Sequence, residues 1–309
     1  MKTLLESLAI PKNTSIQYVG RAECDLSHLE SLNALLAKDK PDLIINASAY
    51  TAVDKAETEV DLAFVINARA PELMAQYAVQ HGATFLHYST DYVFDGSKQG
   101  AYVEGDERNP LGVYGKSKAA GEIAIEKAFI NATAGQFAIL RTSWVYGDGS
   151  NFIRTILRLA KERESLKVIH DQHGVPTSAN WLAQISLELV LDAQFNLRSF
   201  PSGIYHAIPA GATTWHALAC LVVQAAVSAG VTLKAKPENI QAIPAIEYPV
   251  PAPRPMNSRM DSTKLRQTLQ ARGFEASNSY NEPQNVPDFP AWDGMVQEYI
   301  SQLAKDGLI

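Results

Sequence analysis

Cysteine is nearly absent from the chain: Cys24 and Cys220 stand far apart, in no ligand-like spacing. Neither a disulfide scaffold nor a thiolate metal centre is expected, and both residues read as small buried side chains in a reducing, cytoplasmic setting. Basic runs are missing as well. Lysine and arginine total 27 against 33 acidic residues, a mildly acidic balance that leaves no nucleic-acid footprint. Long hydrophobic runs do not occur. No stretch approaches the roughly 20 apolar residues of a membrane span, the stretch 217–225 reads as buried core, and the opening residues are too short an apolar run for a signal peptide and are broken by Glu6. The histidines (His28, His81, His87, His170, His173, His206, His216) form no i, i+4 pair and have no nearby cysteine or carboxylate framework. No metal is therefore expected. His170 and His173 read as loop packing, and Asp54, Glu57, Glu59 and Asp61 as the solvated start of a helix, where carboxylates suit the dipole.

What is present is enough apolar material for a sizeable core: 309 residues, 46% of them hydrophobic, as one large domain or two smaller ones. From residue 16 to 142, short apolar runs (16–19, 43–45, 84–88, 137–140) alternate with helical stretches (29–38, 68–81, 117–129). Strands separated by helices of this length predict βαβ units and a parallel sheet. The fold class expected is α/β: a Rossmann-like doubly wound parallel sheet with a smaller, partly interleaved α/β domain. Residues 1–150, joined by about 180–208, are expected to form the first unit. Residues 151–179 and 209–309 are expected to form the second, with helices at 152–164, 181–193, 214–229 and 292–304. In open parallel sheets ligands lie beyond the carboxyl ends of the strands. The residues there are Asp25, Asn46, Ser89-Thr90-Asp91 and Thr142-Ser143-Trp144.

Tyr114 and Lys118 lie four apart in a helical pattern, which stacks their side chains on one face, one turn apart. A phenol with a pKa of about 10 is a poor acid or base at neutral pH, and a nearby ammonium favours its ionised form. The pair is thus suited to proton transfer at a carbonyl, an exposed helical turn being the plain alternative. Thr90, delivered by the end of a buried strand, supplies a second hydroxyl where a substrate oxygen needs a donor.

Three segments join here: Ser89-Thr90-Asp91-Tyr92-Val93-Phe94, Tyr114-Gly115-Lys116-Ser117-Lys118 and Arg141-Thr142-Ser143-Trp144-Val145-Tyr146-Gly147. Together with the stretches 46–57, 171–177 and 254–259, they resemble the extended short-chain dehydrogenase/reductase superfamily, and within it the family of dTDP-4-dehydrorhamnose reductases. The resemblance implies that NADPH or NADH delivers hydride to C4 of a 4-keto-6-deoxy sugar nucleotide, with Thr90, Tyr114 and Lys118 as catalytic residues. It implies that Asp25, Leu26, Asn46, Ala47, Ser48 and Thr51, with Tyr114 and Lys118, hold the cofactor. Val53, Thr90, Asp91, Tyr92, Trp144, Asn151 and Arg254 would face a dTDP-sugar. For Arg254 the physics agrees, since a guanidinium suits a diphosphate bidentately, a surface arginine being the alternative. A homodimer is also expected.

Dehydratases of the superfamily resemble one another in placing Asp-Glu after the threonine. Here Asp91-Tyr92 stands instead, so the base for removing water is absent and simple carbonyl reduction is preferred. Epimerases, which share the tyrosine and lysine, are set aside only on the flanking likeness. Dinucleotide-binding folds begin with a strand and a glycine-rich turn, whereas residues 1–9 look like the family's first helix and the earliest glycine is Gly20. A late start or deletion, a variant that has lost cofactor binding, or another segment in the strand's place would each account for this. The second would fit a regulatory or binding subunit of reductase-like fold, though such a subunit has no chemical need of Thr90, Tyr114 and Lys118.

Overall fold

The computed structural model describes residues 1–7, 10–12, 14–271 and 289–309. Among these, the longer strands are Leu43–Asn46 (β1), Thr84–Thr90 (β2), Gln136–Thr142 (β3), Leu166–Ile169 (β4), Gly203–His206 (β5) and Ile240–Ile243 (β6). The longer helices used below are Leu29–Asp39 (α1), Ala70–His81 (α2), Val113–Phe129 (α3), Phe152–Glu162 (α4), Ala179–Val190 (α5), Trp215–Ser228 (α6) and Trp292–Lys305 (α7). Strands β1, β2, β3 and β5 pair in that order, all parallel. Parallel strands are buried on both faces and so read as continuous apolar runs, and the core shows both faces at work. Phe85, Phe137, Ile139 and Ile204 turn to the side covered by α1, α2 and α3. Leu86, Ala138, Leu140 and Tyr205 turn to the side covered by α5 and by Leu265 and Leu269. Helices on both faces of a parallel sheet make the doubly wound α/β architecture expected from the sequence.

One expected strand is not formed. Residues 16–19 carry no strand, and Tyr18 and Val19 are 38% and 40% exposed. A strand exists only by its ladder partner, and these residues have none among the described ones. β1 forms the edge of the sheet, pairing on one side with β2.

A second core lies among α4, α6, α7 and the parallel pair β4–β6, built on Ile153, Leu157, Leu218, Val222, Val296 and Ile300. The chain enters this unit after β3, returns to the sheet through α5 and β5, and leaves it again for α6.

Helix α3 lies unusually close to its neighbours. A Cβ on Gly121 would fall 2.1 Å from the Asn67 carbonyl oxygen, and one on Gly115 would fall 2.2 Å from that of Tyr92. Asn67 belongs to a π-helical turn, Val65–Arg69, that leads into α2. The buried Asn67 amide binds Ser117 of α3 and both backbone polar groups of Tyr50. Glycine at 121 therefore brings α3 onto the segment that also fixes the loop after β1. Gly121→Ala is expected to lose about 1–3 kcal/mol of stability in urea unfolding. Gly294→Ala, in the first turn of α7 with nothing near its Cβ, should gain up to about 1 kcal/mol.

Candidate active site

The C-terminal ends of β1 and β2 and the first turns of α3 converge. Thr90 ends β2, and its hydroxyl donates to Asp91 Oδ1 at 3.0 Å and accepts the Tyr92 amide at 3.2 Å. Its hydroxyl also favours ionisation of the Tyr114 hydroxyl, which stands near it. Tyr114 sits in the opening turn of α3, which begins at Val113, four residues before the start at Ser117 expected from the sequence. That helix has no capping side chain of its own at Gly112; instead Glu57 reaches across and accepts the Val113 amide at 2.8 Å. A carboxylate at a helix N-terminus satisfies an orphan donor and opposes the dipole. The acidic cluster read as solvated is thus put to use: Glu57 caps α3, Glu59 accepts the Tyr50 hydroxyl at 2.7 Å, and Asp54 pairs with Arg254 at 2.9 Å.

Lys118 is buried, with Nζ 2.6 Å from the Tyr88 carbonyl and 3.0 Å from His87 Nε2. On the far side of the imidazole, His87 Nδ1 meets the side-chain amide nitrogen of Asn46 at 3.0 Å. Asn46 Oδ1 in turn accepts the Ser48 amide at 3.1 Å. Behind Lys118, Glu122 is wholly buried and binds Arg141, Arg108 and Ser89. Tyr92 stands edge-on to Tyr114, ring centroids 5.4 Å apart, and the Arg254 guanidinium lies 6.0 Å from the Tyr92 ring.

Seven of the fifteen residues proposed from sequence gather here: Thr90, Asp91, Tyr92, Tyr114, Lys118 and Asn46, with Arg254 on the flank through Tyr92. Val53 opens the short helix that carries Asp54. Ala47, Ser48 and Thr51 are exposed in the loop after β1. Asp25 makes a local turn, accepting from Ser27 and Arg21, while Leu26 packs on the core beside α1. Asn151 caps α4, accepting the Arg154 amide and donating to the Gly147 carbonyl. Trp144 holds a left-handed backbone, φ +47°, stacked 3.5 Å from Trp215. The two indoles line a cleft of about 110 Å³ with Tyr146, Phe152 and Pro176. Sequence reasoning had passed over His87, Glu122, Asp54 and Trp215. For His87 and Glu122 a signal existed: a polar residue inside an apolar strand run, and a carboxylate two turns beyond Tyr114 on the same helix face.

A nicotinamide nucleotide is what this class of fold implies, and its reactive end fits. Lys118 is a buried amine without a carboxylate in hydrogen-bonding reach, its bonds to Tyr88 and His87 leave a donor over, and Asn46, joined to it through His87, leads into the exposed residues Ala47 and Ser48. A hydroxyl at a strand end, a Tyr-x-x-x-Lys helix beside it and a doubly wound sheet define the short-chain dehydrogenase/reductase class. The comparisons agree. The family model described as the RmlD substrate binding domain matches residues 3–279. The dTDP-4-dehydrorhamnose reductase of Shigella flexneri is 44% identical over 82% of this chain and 81% of its own length; that of Salmonella typhimurium is 45% identical over 79% of each. The crystal structure of a Clostridium acetobutylicum dTDP-4-dehydrorhamnose reductase superposes with a TM-score of 0.79 at 30% identity, over 98% of this chain and 94% of that one. A Bacillus anthracis dTDP-4-dehydrorhamnose reductase solved with NADP gives 0.78 at 29%, over 97% and 94%. The chain belongs to the dTDP-4-dehydrorhamnose reductase family and is an oxidoreductase.

Burial governs the ionisation of the site. It pushes the Tyr114 hydroxyl up to about 12, against the Thr90 hydrogen bond and helped by the Asp91 charge. It brings Lys118 down to about 8, against the attraction of Glu122. Desolvation lifts Asp91 to about 6 and lowers His206 to about 3, while His87 is held well below the usual imidazole range by burial and by Lys118. The consequences for stability have definite signs. Unfolding raises both histidines to about 6.5. The unfolded chain then binds more protons below that pH, and stability falls on acidification by up to about 1.4 kcal/mol per pH unit for each. Asp91 acts oppositely between about 6 and 3.9, where the folded chain holds the extra proton. Denaturant titrations at successive pH values should show His206→Gln flattening the decline below pH ~6.5 and Asp91→Asn steepening it below pH ~6.

Proposed function

We propose that the protein reduces the C4 keto group of dTDP-4-dehydro-L-rhamnose to give dTDP-L-rhamnose, using NADPH or NADH. The observation that carries this reading is that Thr90, at the end of β2, lies near Tyr114, one turn from Lys118 on α3, with Tyr92 where a dehydratase would need a carboxylate. The names of the relatives, 44% and 45% identical, support the substrate, and the NADP bound to the Bacillus anthracis neighbour supports the cofactor.

The nicotinamide, when bound, supplies the hydride. Asn46, Ala47, Ser48, Thr51 and Lys118 would hold it at the end of β1, with Asp25 and Leu26 further out. Thr90 and Tyr114 would supply two hydroxyls to the oxygen that gains charge as the carbonyl is reduced, donors already in place. Tyr114, kept protonated by its burial, gives that oxygen its proton. Thr90 has a single proton with Asp91 Oδ1 and Tyr114 in reach, and redirecting it to the substrate costs one hydrogen bond and makes another. Arg254, oriented by Asp54 and by the Ala252 carbonyl, suits the diphosphate. Val53, Asp91, Tyr92, Trp144 and Asn151 complete the sugar-nucleotide side in this reading, the indole of Trp144 offering a stacking face. A homodimer working in the cytoplasm belongs to the same reading, supported by the two free cysteines and by the prevalence of two-fold assemblies. No helix among the described residues is long and apolar enough to cross a membrane.

The test is loss of reduced-nicotinamide absorbance on adding the dTDP-4-keto sugar. Turnover with NADPH or NADH is expected, and Tyr114→Phe should lower kcat by at least ~100-fold with little change in KM. A folded protein that turns over with neither cofactor would replace this reading with that of a binding subunit.

A further inference from the structure

In a dTDP-sugar the diphosphate that Arg254 suits and the keto carbon that Tyr114 serves are joined through one sugar ring. Both residues must therefore be held at one separation, since a misplacement of about 1 Å can cost ~100-fold in rate. They come from distant parts of the chain: Arg254 from the proline-rich stretch after β6, Tyr114 from the first turn of α3. Both are tied to the helical turn Val53–Ala56 and to Glu57 at its end. Asp54 and Glu57 stand three apart there, a spacing that brings side chains to one side. Asp54 Oδ1 accepts the Ala252 amide at 3.1 Å and Arg254 Nη2 at 2.9 Å, while Arg254 Nη1 donates to the Ala252 carbonyl at 3.0 Å. One carboxylate oxygen thus fixes the backbone of the loop and the plane of its guanidinium. Two of the five N–H groups of an arginine make this ring, so an anion can be gripped without breaking it.

Glu57 reaches the other way. Its Oε1 accepts the amide of Val113, the neighbour of Tyr114, at 2.8 Å. The three parts meet at Gly112, where a Cβ would fall 2.7 Å from Glu57 Oε1 and 3.5 Å from Pro253 Cδ. Glycine there lets the Arg254 loop, the turn at 53–57 and the end of α3 close on one another. We propose that Asp54 and Glu57 are positioning residues that set the diphosphate grip and the proton donor at one separation: Asp54 fixes Arg254, and Glu57 fixes the turn of α3 that carries Tyr114. That they align a nucleoside diphosphate sugar rests on the reductase reading.

Both carboxylates act as hydrogen-bond acceptors, so asparagine at 54 and glutamine at 57 should serve where alanine cannot. The Asp54 and Arg254 side chains are 44% and 19% exposed. Pairs as open as this add little stability, so loss of aim is separable from loss of fold. Calorimetric titration with dTDP reads the Asp54 half. Arg254→Ala and Asp54→Ala should each weaken dTDP about 10-fold, and Asp54→Asn should stay within about 3-fold of the parent. The double variant Asp54→Ala/Arg254→Ala should bind no more weakly than Arg254→Ala alone, because the carboxylate acts through the guanidinium. If Arg254→Ala binds dTDP like the parent, the assignment of Arg254 to the diphosphate falls and the proposal with it. If Arg254→Ala weakens dTDP but Asp54→Ala does not, or if Asp54→Asn is as weak as Asp54→Ala, the proposal alone is overturned.

Phenol-carbon NMR of tyrosine-labelled protein reads the Glu57 half. The Tyr114 signal, assigned by its loss in Tyr114→Phe, should shift or split in Glu57→Ala and return to the parent position in Glu57→Gln, which keeps an acceptor for the Val113 amide. A signal unmoved in Glu57→Ala, or one that Glu57→Gln fails to restore, would overturn the proposal. Should Glu57→Ala not fold, the glutamine variant decides by itself, since only a retained hydrogen bond predicts the parent signal. With turnover, Asp54→Ala should raise KM about 10-fold at nearly constant kcat, and Glu57→Ala should lower kcat about 10-fold at nearly constant KM. Equal changes in both constants for both variants would mean a general loosening and sink the idea. A parent without turnover would count against the reductase reading, while the dTDP titrations and the tyrosine signal still decide this one.

Discussion

A carboxylate cut off from water must find its counter-charge inside the fold, and Glu122 finds it in three places. Arg141 reaches it through Nε at 2.9 Å and Nη2 at 2.6 Å, Arg108 through Nε at 2.6 Å, and the Ser89 hydroxyl from β2. Arg108 continues to the half-exposed Glu126 one turn further along α3. Such a group is a poor source of net stability, because desolvating each charge costs several kcal/mol. Its effect is on register. Tyr114, Lys118, Glu122 and Glu126 follow one another at intervals of four, a single stripe along α3, so fixing Glu122 against the ends of β2 and β3 fixes the rotation of the whole helix. Tyr114 is thereby held beside Tyr92, near the end of β2.

The same helix is held at its other contacts by geometry rather than charge. Gly115 and Gly121 let it approach backbone carbonyls at distances no side chain would allow, while Glu57 secures its first turn from outside. Asn67 links that approach to the loop after β1 through Ser117 and Tyr50. Site residues from β1, β2 and α3 are therefore positioned by one connected set of bonds, and small errors in any one element are resisted by the others. Preorganisation of this kind is what lets two hydroxyls aim at an oxygen before charge develops on it.

The pattern of local spacing made part of this legible. The runs that became β1, β2 and β3 are apolar on both faces because helices cover both, and Tyr114 and Lys118 announce themselves by a helical interval of four. Residues 16–19 have the same apolar character, yet a strand depends on a neighbour that composition does not reveal. The remaining contacts join distant parts of the chain: Asn46 to His87 across 41 positions, Arg254 to Asp54 across 200. An acidic residue near a helix start reads as solvated unless its partner is known. Only the folded chain shows Asp54, Glu57 and Glu59 each engaged by a group from elsewhere.

Burial moves the pKa of Tyr114 and Lys118 in opposite directions, each favouring the uncharged form: up to about 12 for the phenol, which keeps its proton, and down to about 8 for the amine. The strong charges nearby, Glu122 and Arg141, are spent on each other, and Asp54 occupies Arg254. Thr90, Tyr114 and Lys118 thus sit among polar groups, with paired charges one layer behind. In the proposed reaction, an oxyanion formed there would meet a hydroxyl proton from Thr90 and a transferable proton on Tyr114, with Lys118 one turn further along α3. The arrangement is matched to a reaction that creates negative charge on one oxygen and then removes it by proton transfer. An elimination would need a second carboxylate after Asp91, at the position where this fold places the ring of Tyr92 instead.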